Sequence, residues 1–268
     1  DCALDETPHN RLEERETPPQ HEARATIPAA ARMPAPRPAA VPPPPFGPPV
    51  GLPAPPRVLP AEAITSPEQA AGDARLKAAK ASSLEELRTI MEAFNGCALK
   101  ASASRLVFAD GNPEADVMLV GEAPGGEEDR LGKPFVGRSG MLLDRMLAAI
   151  GLNRTSAYIT NIVPWRPPGN RTPTPAETAI CKPFIVRHIE LAAPKVLVTL
   201  GKPATQTLLE IDTGILTARG KWYTYTGGGA SIRALATLHP AYLLRQPISK
   251  RLAWQDMRLL AAELERVK

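Results

Sequence analysis

Four short apolar runs in this chain each end on side chains able to do chemistry. Residues 116–121 (DVMLVG) open into Glu122-Ala123-Pro124-Gly125, and residues 158–163 (YITNIV) carry Asn161. Residues 195–201 (KVLVTLG) lead to Lys202, and residues 232–239 (IRALATLH) end on His239-Pro240-Ala241-Tyr242. A carboxylate, a carboxamide, an ammonium and an imidazole in one place could orient water, steady a charge and read a hydrogen-bonding pattern. Glycine-rich turns after strands usually cradle phosphate, yet this one holds Glu122 and the consecutive acids Glu127, Glu128 and Asp129. The P-loop spacing is missing, since Gly132-Lys133 and Gly201-Lys202 are each followed by proline. Neither a GxGxxG after the first run nor a GxSxG elbow occurs. Three adjacent acids suit a helix N-terminus, where the dipole favours them, better than a metal site, so no metal is expected.

The elements that must position these residues follow from periodicity. Between the apolar runs lie helical patterns at 139–151, 175–192 and 202–210; a further one precedes the first run at 82–94, and a last covers 250–267. Strand–helix alternation of this kind builds a parallel sheet covered on both faces. The expectation is an α/β fold, a single α/β/α sandwich around a central four-stranded parallel sheet. In such sheets ligands bind beyond the carboxyl ends of the strands, where the four chemical residues lie.

Composition sets the domain limits. Of the 31 prolines, 18 fall before residue 71, and 33–56 is Pro/Ala low complexity with little to bury. Residues 1–72 are expected to be a disordered tail, a stiff spacer or else a segment that binds a protein partner, and 73–268 the folded domain. The tail carries six arginines and nine acids, net −3, which leaves 26 basic and 19 acidic residues, net +7, for the domain. A basic domain behind an acidic tail points to a polyanionic partner. No run approaches the ~20 apolar residues of a membrane span. The three cysteines, Cys2, Cys97 and Cys181, make no disulfide framework, so a cytoplasmic protein is expected; it is also expected to be a monomer.

Taken with their order and spacing, GEAPGGEEDRLGKPFVGRSGMLLD (121–144), YITNIVPWRPPGNRTPTPAE (158–177) and HPAYLLR (239–245) resemble the uracil-DNA glycosylase superfamily, most nearly its family-4 branch. The resemblance spans about residues 84–266. It implies a DNA-repair enzyme that flips a uracil nucleotide from the duplex and hydrolyses its N-glycosidic bond, leaving an abasic site. By it, Glu122 and His239 are catalytic, and Gly121, Ala123, Glu128, Phe135 and Asn161 bind uracil. Phe135 stacks on the base, Asn161 reads its edge, and Glu128 crowds C5 against a thymine methyl. Arg138, Ser139, Arg166, Arg171, Lys202, Pro240, Tyr242, Leu243 and Arg245 are expected to contact DNA, with Tyr242, Leu243 or Leu244 as the wedge.

The resemblance also implies a [4Fe–4S] cluster on four cysteines, and there the sequence departs from the pattern. Lys100 stands in the second position of the first pair (CALK, 97–100), and Trp165 stands where the later pair should begin, leaving only Cys97 and Cys181. The expectation is therefore no iron–sulfur cluster and no other cofactor. Two alternative functions remain open at the sequence level: a broader glycosylase that also takes hypoxanthine or xanthine, and a non-catalytic module that binds uracil or abasic DNA.

Overall fold

The computed structural model describes residues 66–267. The expectations for a disordered, Pro-rich tail lie, up to residue 65, outside those residues.

In chain order the elements begin with helices α1 (Pro67–Ala78), α2 (Leu84–Ala93) and α3 (Leu99–Ser102), then β1 (Asp110–Gly111) and β2 (Val117–Gly121). Next come α4 (Gly126–Leu131), α5 (Arg138–Ala148), β3 (Tyr158–Asn161), α6 (Pro175–Ala192) and β4 (Val196–Leu200). The chain ends with α7 (Lys202–Leu209), α8 (Ile215–Ala218), β5 (Trp222–Tyr225), β6 (Ile232–Thr237), α9 (Pro240–Arg245) and α10 (Lys250–Val267). None of these helices is long and apolar enough to cross a membrane.

The sheet order is β1-β3-β2-β4-β6-β5. The inner four strands are parallel, as expected. The sheet is nevertheless six-stranded and mixed, which corrects the four-stranded expectation: β1 pairs antiparallel with β3, and β5 antiparallel with β6. Both additions are short and cap the open edges of the parallel core, where unpaired backbone groups would otherwise be exposed. β1 has only two residues and β5 is half-exposed, so neither carries the continuous apolar signature of a buried strand.

Burial on both faces explains that signature in the inner strands. In β2, Met118 and Val120 face the core under α2 and α6, while Val117 and Leu119 face the core on the α5 and α10 side. Leu197 against Val196 and Val198 repeats the alternation in β4. Helix α6 starts with a capping box in which Thr174 and Glu177 exchange hydrogen bonds, with Pro175 at its first position.

Helix α1 reaches across the expected boundary at residue 72. Ala70, Ala74 and Ala78 are buried in the core cluster that holds α6, so the folded unit takes in residues that composition had given to the tail. A stripe of alanines has little hydropathic contrast, which is why periodicity did not mark it.

Candidate active site

The parallel register carries the chemical residues to one rim. Gly121 and Asn161 are Cα partners at the ends of β2 and β3, and Leu200 and Thr237 pair at the ends of β4 and β6. Just beyond them lies a cavity of about 200 Å³. Its wall includes Glu122, Ala123, Glu128, Phe135, Ser139, Asn161, Arg171 and His239, eight of the residues singled out in the sequence. Pro124, Gly125, Asn170, Thr172 and Ala241 complete it; Asn170 and Thr172 were given no role from the sequence. Asn170 and Thr172 flank Arg171 in the loop between β3 and α6, where the Gly169-Asn170 pair, both at positive φ, signals a tight turn bent toward the site.

Two polar atoms in this wall are buried without a partner: Glu122 Oε1 and Asn161 Oδ1. Buried polar groups are almost always hydrogen-bonded, so orphaned acceptors at an opening mark a place where a ligand or water completes the set. Burial pushes the Glu122 carboxyl above its ordinary value, with the Thr172 hydroxyl opposing the shift. His239 is the N-cap of α9, and its Nδ1 accepts the Ala241 backbone N–H at 3.1 Å. A neutral imidazole with Nδ1 as acceptor carries its proton on Nε2. Burial, helped by the Arg245 charge, lowers the His239 pKa to about 4, so the ring is neutral near pH 7 and available as a donor.

Phe135 sits 4% exposed, its ring 5.5 Å from that of His239. The ring reaches so close to β2 that a Cβ on Gly121 would lie 2.6 Å from Phe135 Cζ and 2.5 Å from Asn161 Oδ1. Only glycine leaves that space. The Phe135 backbone is left-handed, φ 53°, which costs an L-residue about 1–2 kcal/mol. What holds it is Arg154, in the loop before β3. Its guanidinium donates to Pro134 O at 3.1 Å and to Phe135 O, and is itself gripped by Asp110 at 2.7 Å and Asp144 at 2.9 Å. Burial alone would lower the Arg154 pKa, but the two carboxylates outweigh it and raise it. Sequence reasoning passed over Arg154, because NRTS reads as an ordinary polar turn.

Glu128 is buried and spends its carboxylate on the loop around the site. One oxygen accepts the Gly125 N–H at 3.1 Å; the other accepts those of Val136 and Gly137 at 3.1 and 2.9 Å. The neighbouring acids are also engaged: Glu127 pairs with Arg130, and Asp129 caps the backbone of Ser104 and Arg105.

The expected DNA-contacting residues divide. Arg138 and Arg245 flank a second, shallower cleft beside the cavity, together with exposed Leu244. Arg166 lies over Gly126 and donates to Asn170 at 2.7 Å, and Lys202 is exposed at the start of α7. Arg171 is tied bidentately to Glu177 at 2.7 and 2.8 Å, its charge half-spent. Tyr242 is half-buried, while Pro240 and Leu243 are buried. Leu243 packs with Leu238 and Ala253, so it is not the exposed wedge the sequence allowed; Leu244 is the one presented.

A family model for the uracil DNA glycosylase superfamily matches residues 108–258, which hold the whole cavity wall. The chain belongs to the uracil-DNA glycosylase superfamily. Within it, the chain is 40% identical over 169 residues to a type-4 uracil-DNA glycosylase of Archaeoglobus fulgidus, covering 62% of this chain and 85% of the relative. It is 42% identical over 150 residues to the type-4 enzyme of Thermotoga maritima, covering 56% and 77% respectively. For the type-4 enzyme of Sulfurisphaera tokodaii the identity is 37% over 181 residues, covering 66% and 82%.

This kinship overturns one expectation. The sequence reading expected no cofactor, whereas the type-4 glycosylases with which the chain aligns are a class that binds an iron–sulfur cluster. The donors found among the described residues are Cys97 and Cys181, both buried, with Sγ atoms 4.0 Å apart. Lys100 donates to Asn95 Oδ1 at 2.9 Å, and Trp165 stacks on Phe94 with ring centroids 6.4 Å apart. No group of three or more His, Cys, Asp or Glu able to hold a metal occurs among the described residues. Two thiols do not match a four-thiolate cubane.

Proposed function

We propose that this glycosylase site takes a uracil flipped out of DNA and hydrolyses its N-glycosidic bond, leaving an abasic site. The observation that carries the reading is the pair of orphaned acceptors, Glu122 Oε1 and Asn161 Oδ1, facing one base-sized cavity walled by Phe135 and His239. In this reading Asn161 accepts from uracil N3–H and donates to O4; cytosine, with the opposite pattern at both atoms, is refused. Phe135 stacks on the base, an interaction worth about 1–3 kcal/mol and indifferent to base identity.

As the C1′–N1 bond breaks, positive charge grows on the sugar and negative charge on the uracil. The ionised Glu122 steadies the first and orients the water that adds to C1′, and the neutral His239 donates from Nε2 toward uracil O2. The products are free uracil, protonated from solvent, and a deoxyribose bearing a C1′ hydroxyl. Glu128 acts from behind: by gripping the N–H groups of Gly125, Val136 and Gly137 it fixes the loop that carries Glu122 and Phe135. Leu244 fills the gap in the duplex, and Arg138, Ser139, Arg166, Lys202 and Arg245 meet the flanking phosphates. The protein acts as a monomer on DNA.

The test is strand scission. A labelled oligonucleotide with one uracil is incubated with the protein and heated in alkali, beside hypoxanthine, xanthine and thymine-mismatch controls. Scission at uracil is expected. Tight binding with no scission anywhere would overturn the catalytic reading in favour of a DNA-binding module, and equal scission at the purines would overturn the discrimination assigned to Asn161.

A further inference from the structure

We infer that Arg154 is a positioning residue for base binding, acting through the backbone of Phe135 from outside the cavity. This rests on the stacking role proposed for Phe135. Arg154 does not line the cavity, yet its guanidinium spans two successive carbonyls, Pro134 O and Phe135 O, at the point where the chain turns left-handed. A planar fork with two parallel donors fits two adjacent carbonyls as a point-charge ammonium cannot. Two further N–H groups, on Nη1 and Nε, donate to Asp110 of β1 and Asp144 of α5, so the fork is fixed against an edge strand and a helix at once. Gly140, one turn before Asp144 on α5, lets the loop approach that helix: a Cβ there would lie 1.7 Å from Phe135 O. The carbonyl thus meets both a donor and a bare helix surface, and the Phe135 ring lies beside Asn161 and His239. Strained backbone persists where the surroundings over-determine it, and such strain clusters at ligand clamps.

The inference is tested by a double-mutant cycle read as kcat/KM on a uracil oligonucleotide. Loss of the stack in Phe135→Ala should lower kcat/KM by ~5–150-fold, and Arg154→Gln by ~10-fold in the native background but less than ~2-fold in the Phe135→Ala background. A merely structural arginine would lower the melting temperature in both backgrounds and give losses that multiply in full. That result, with Phe135→Ala itself impaired, overturns the role of Arg154 alone. If Phe135→Ala releases uracil at the native rate, the stacking role falls and the inference with it. Should Arg154→Gln fail to fold, Asp144→Asn removes one anchor of the fork at a half-exposed position, and the same loss of effect in the Phe135→Ala background is expected at a smaller scale. Arg154→Lys, which keeps the charge but not the fork, should resemble Arg154→Gln in kcat/KM; full recovery by lysine would overturn the geometric argument.

Discussion

Two buried regions of this molecule treat their polar groups in opposite ways. At the rim of the sheet, Glu122 Oε1 and Asn161 Oδ1 are enclosed and left without partners. Beneath α2 and α6, the equally enclosed His188 is satisfied: its Nε2 meets Tyr158 OH at 2.9 Å, its ring stacks on Phe108 at 4.3 Å, and Cys97 and Cys181 face each other. Trp165, Phe94 and Phe184 pack that region as a core. The first region forgoes stability so that something else can bind; the second behaves as interior. Loss of a side chain should therefore register as activity in one and as stability in the other.

The sharpest way to break that comparison is Glu122→Gln. Removing the charge should cut uracil release by ~10²-fold or more, within the range expected for a positioned acid–base group. The same change removes a carboxylate that burial holds in an unfavourable state, so the melting temperature should rise, a stability–activity trade-off readable by calorimetry. A lower melting temperature would mean that Glu122 is satisfied in the free protein after all. Asn161→Ala comes next: kcat/KM for uracil should fall by ~10–100-fold with little change in stability, because the deleted acceptor has no partner to lose. In the second region the pattern inverts. His188→Leu leaves Tyr158 OH unpaired and should destabilise the fold by ~1–3 kcal/mol in denaturant unfolding, with kcat/KM unchanged.

Protons separate the two regions as well. Burial depresses the His188 pKa to about 3 from 6.5 and the His239 pKa to about 4. Below pH 6.5 the unfolded chain binds protons that the folded one refuses, so both histidines make stability decline as pH falls from 6.5 toward those values. Activity obeys a different group. In the proposed mechanism the reaction needs ionised Glu122, so its raised pKa should move the acid limb of kcat/KM upward from the ordinary 4.5. Between pH 5 and 8 His239 stays neutral, so His239→Asn should lower the plateau and leave the limb in place. A limb that vanishes in that variant would assign it to the imidazole.

Much of this was legible in the sequence, for a physical reason. Strands buried on both faces read as continuous apolar runs, and the residues after them must lie on one rim, so Glu122, Asn161 and His239 could be brought together without coordinates. The helix at 175–192 shows in its periodicity, and its start carries a capping threonine and a proline at the first position. Hidden were features whose signal is relational. Arg154 matters because of two carbonyls about 20 residues earlier in the chain and carboxylates on a strand and a helix. Strand β1 exists only as the partner of β3, and Leu243 and Leu244 exchange roles according to which side of a short helix faces α10. The cysteine count misled for a related reason, since it tallied donors where kinship carried the information.

The alanine seam of α1 has a practical consequence for anyone shortening this protein. Trimming to residue 73, where composition changes, would cut the helix in half and strip Ala70 from its seat against α6, leaving an apolar strip wet on a domain that must stay soluble beside a polyanion. Trimming at Ser66 keeps the seam closed, because the hydroxyl of that serine caps the helix through the Gln69 N–H.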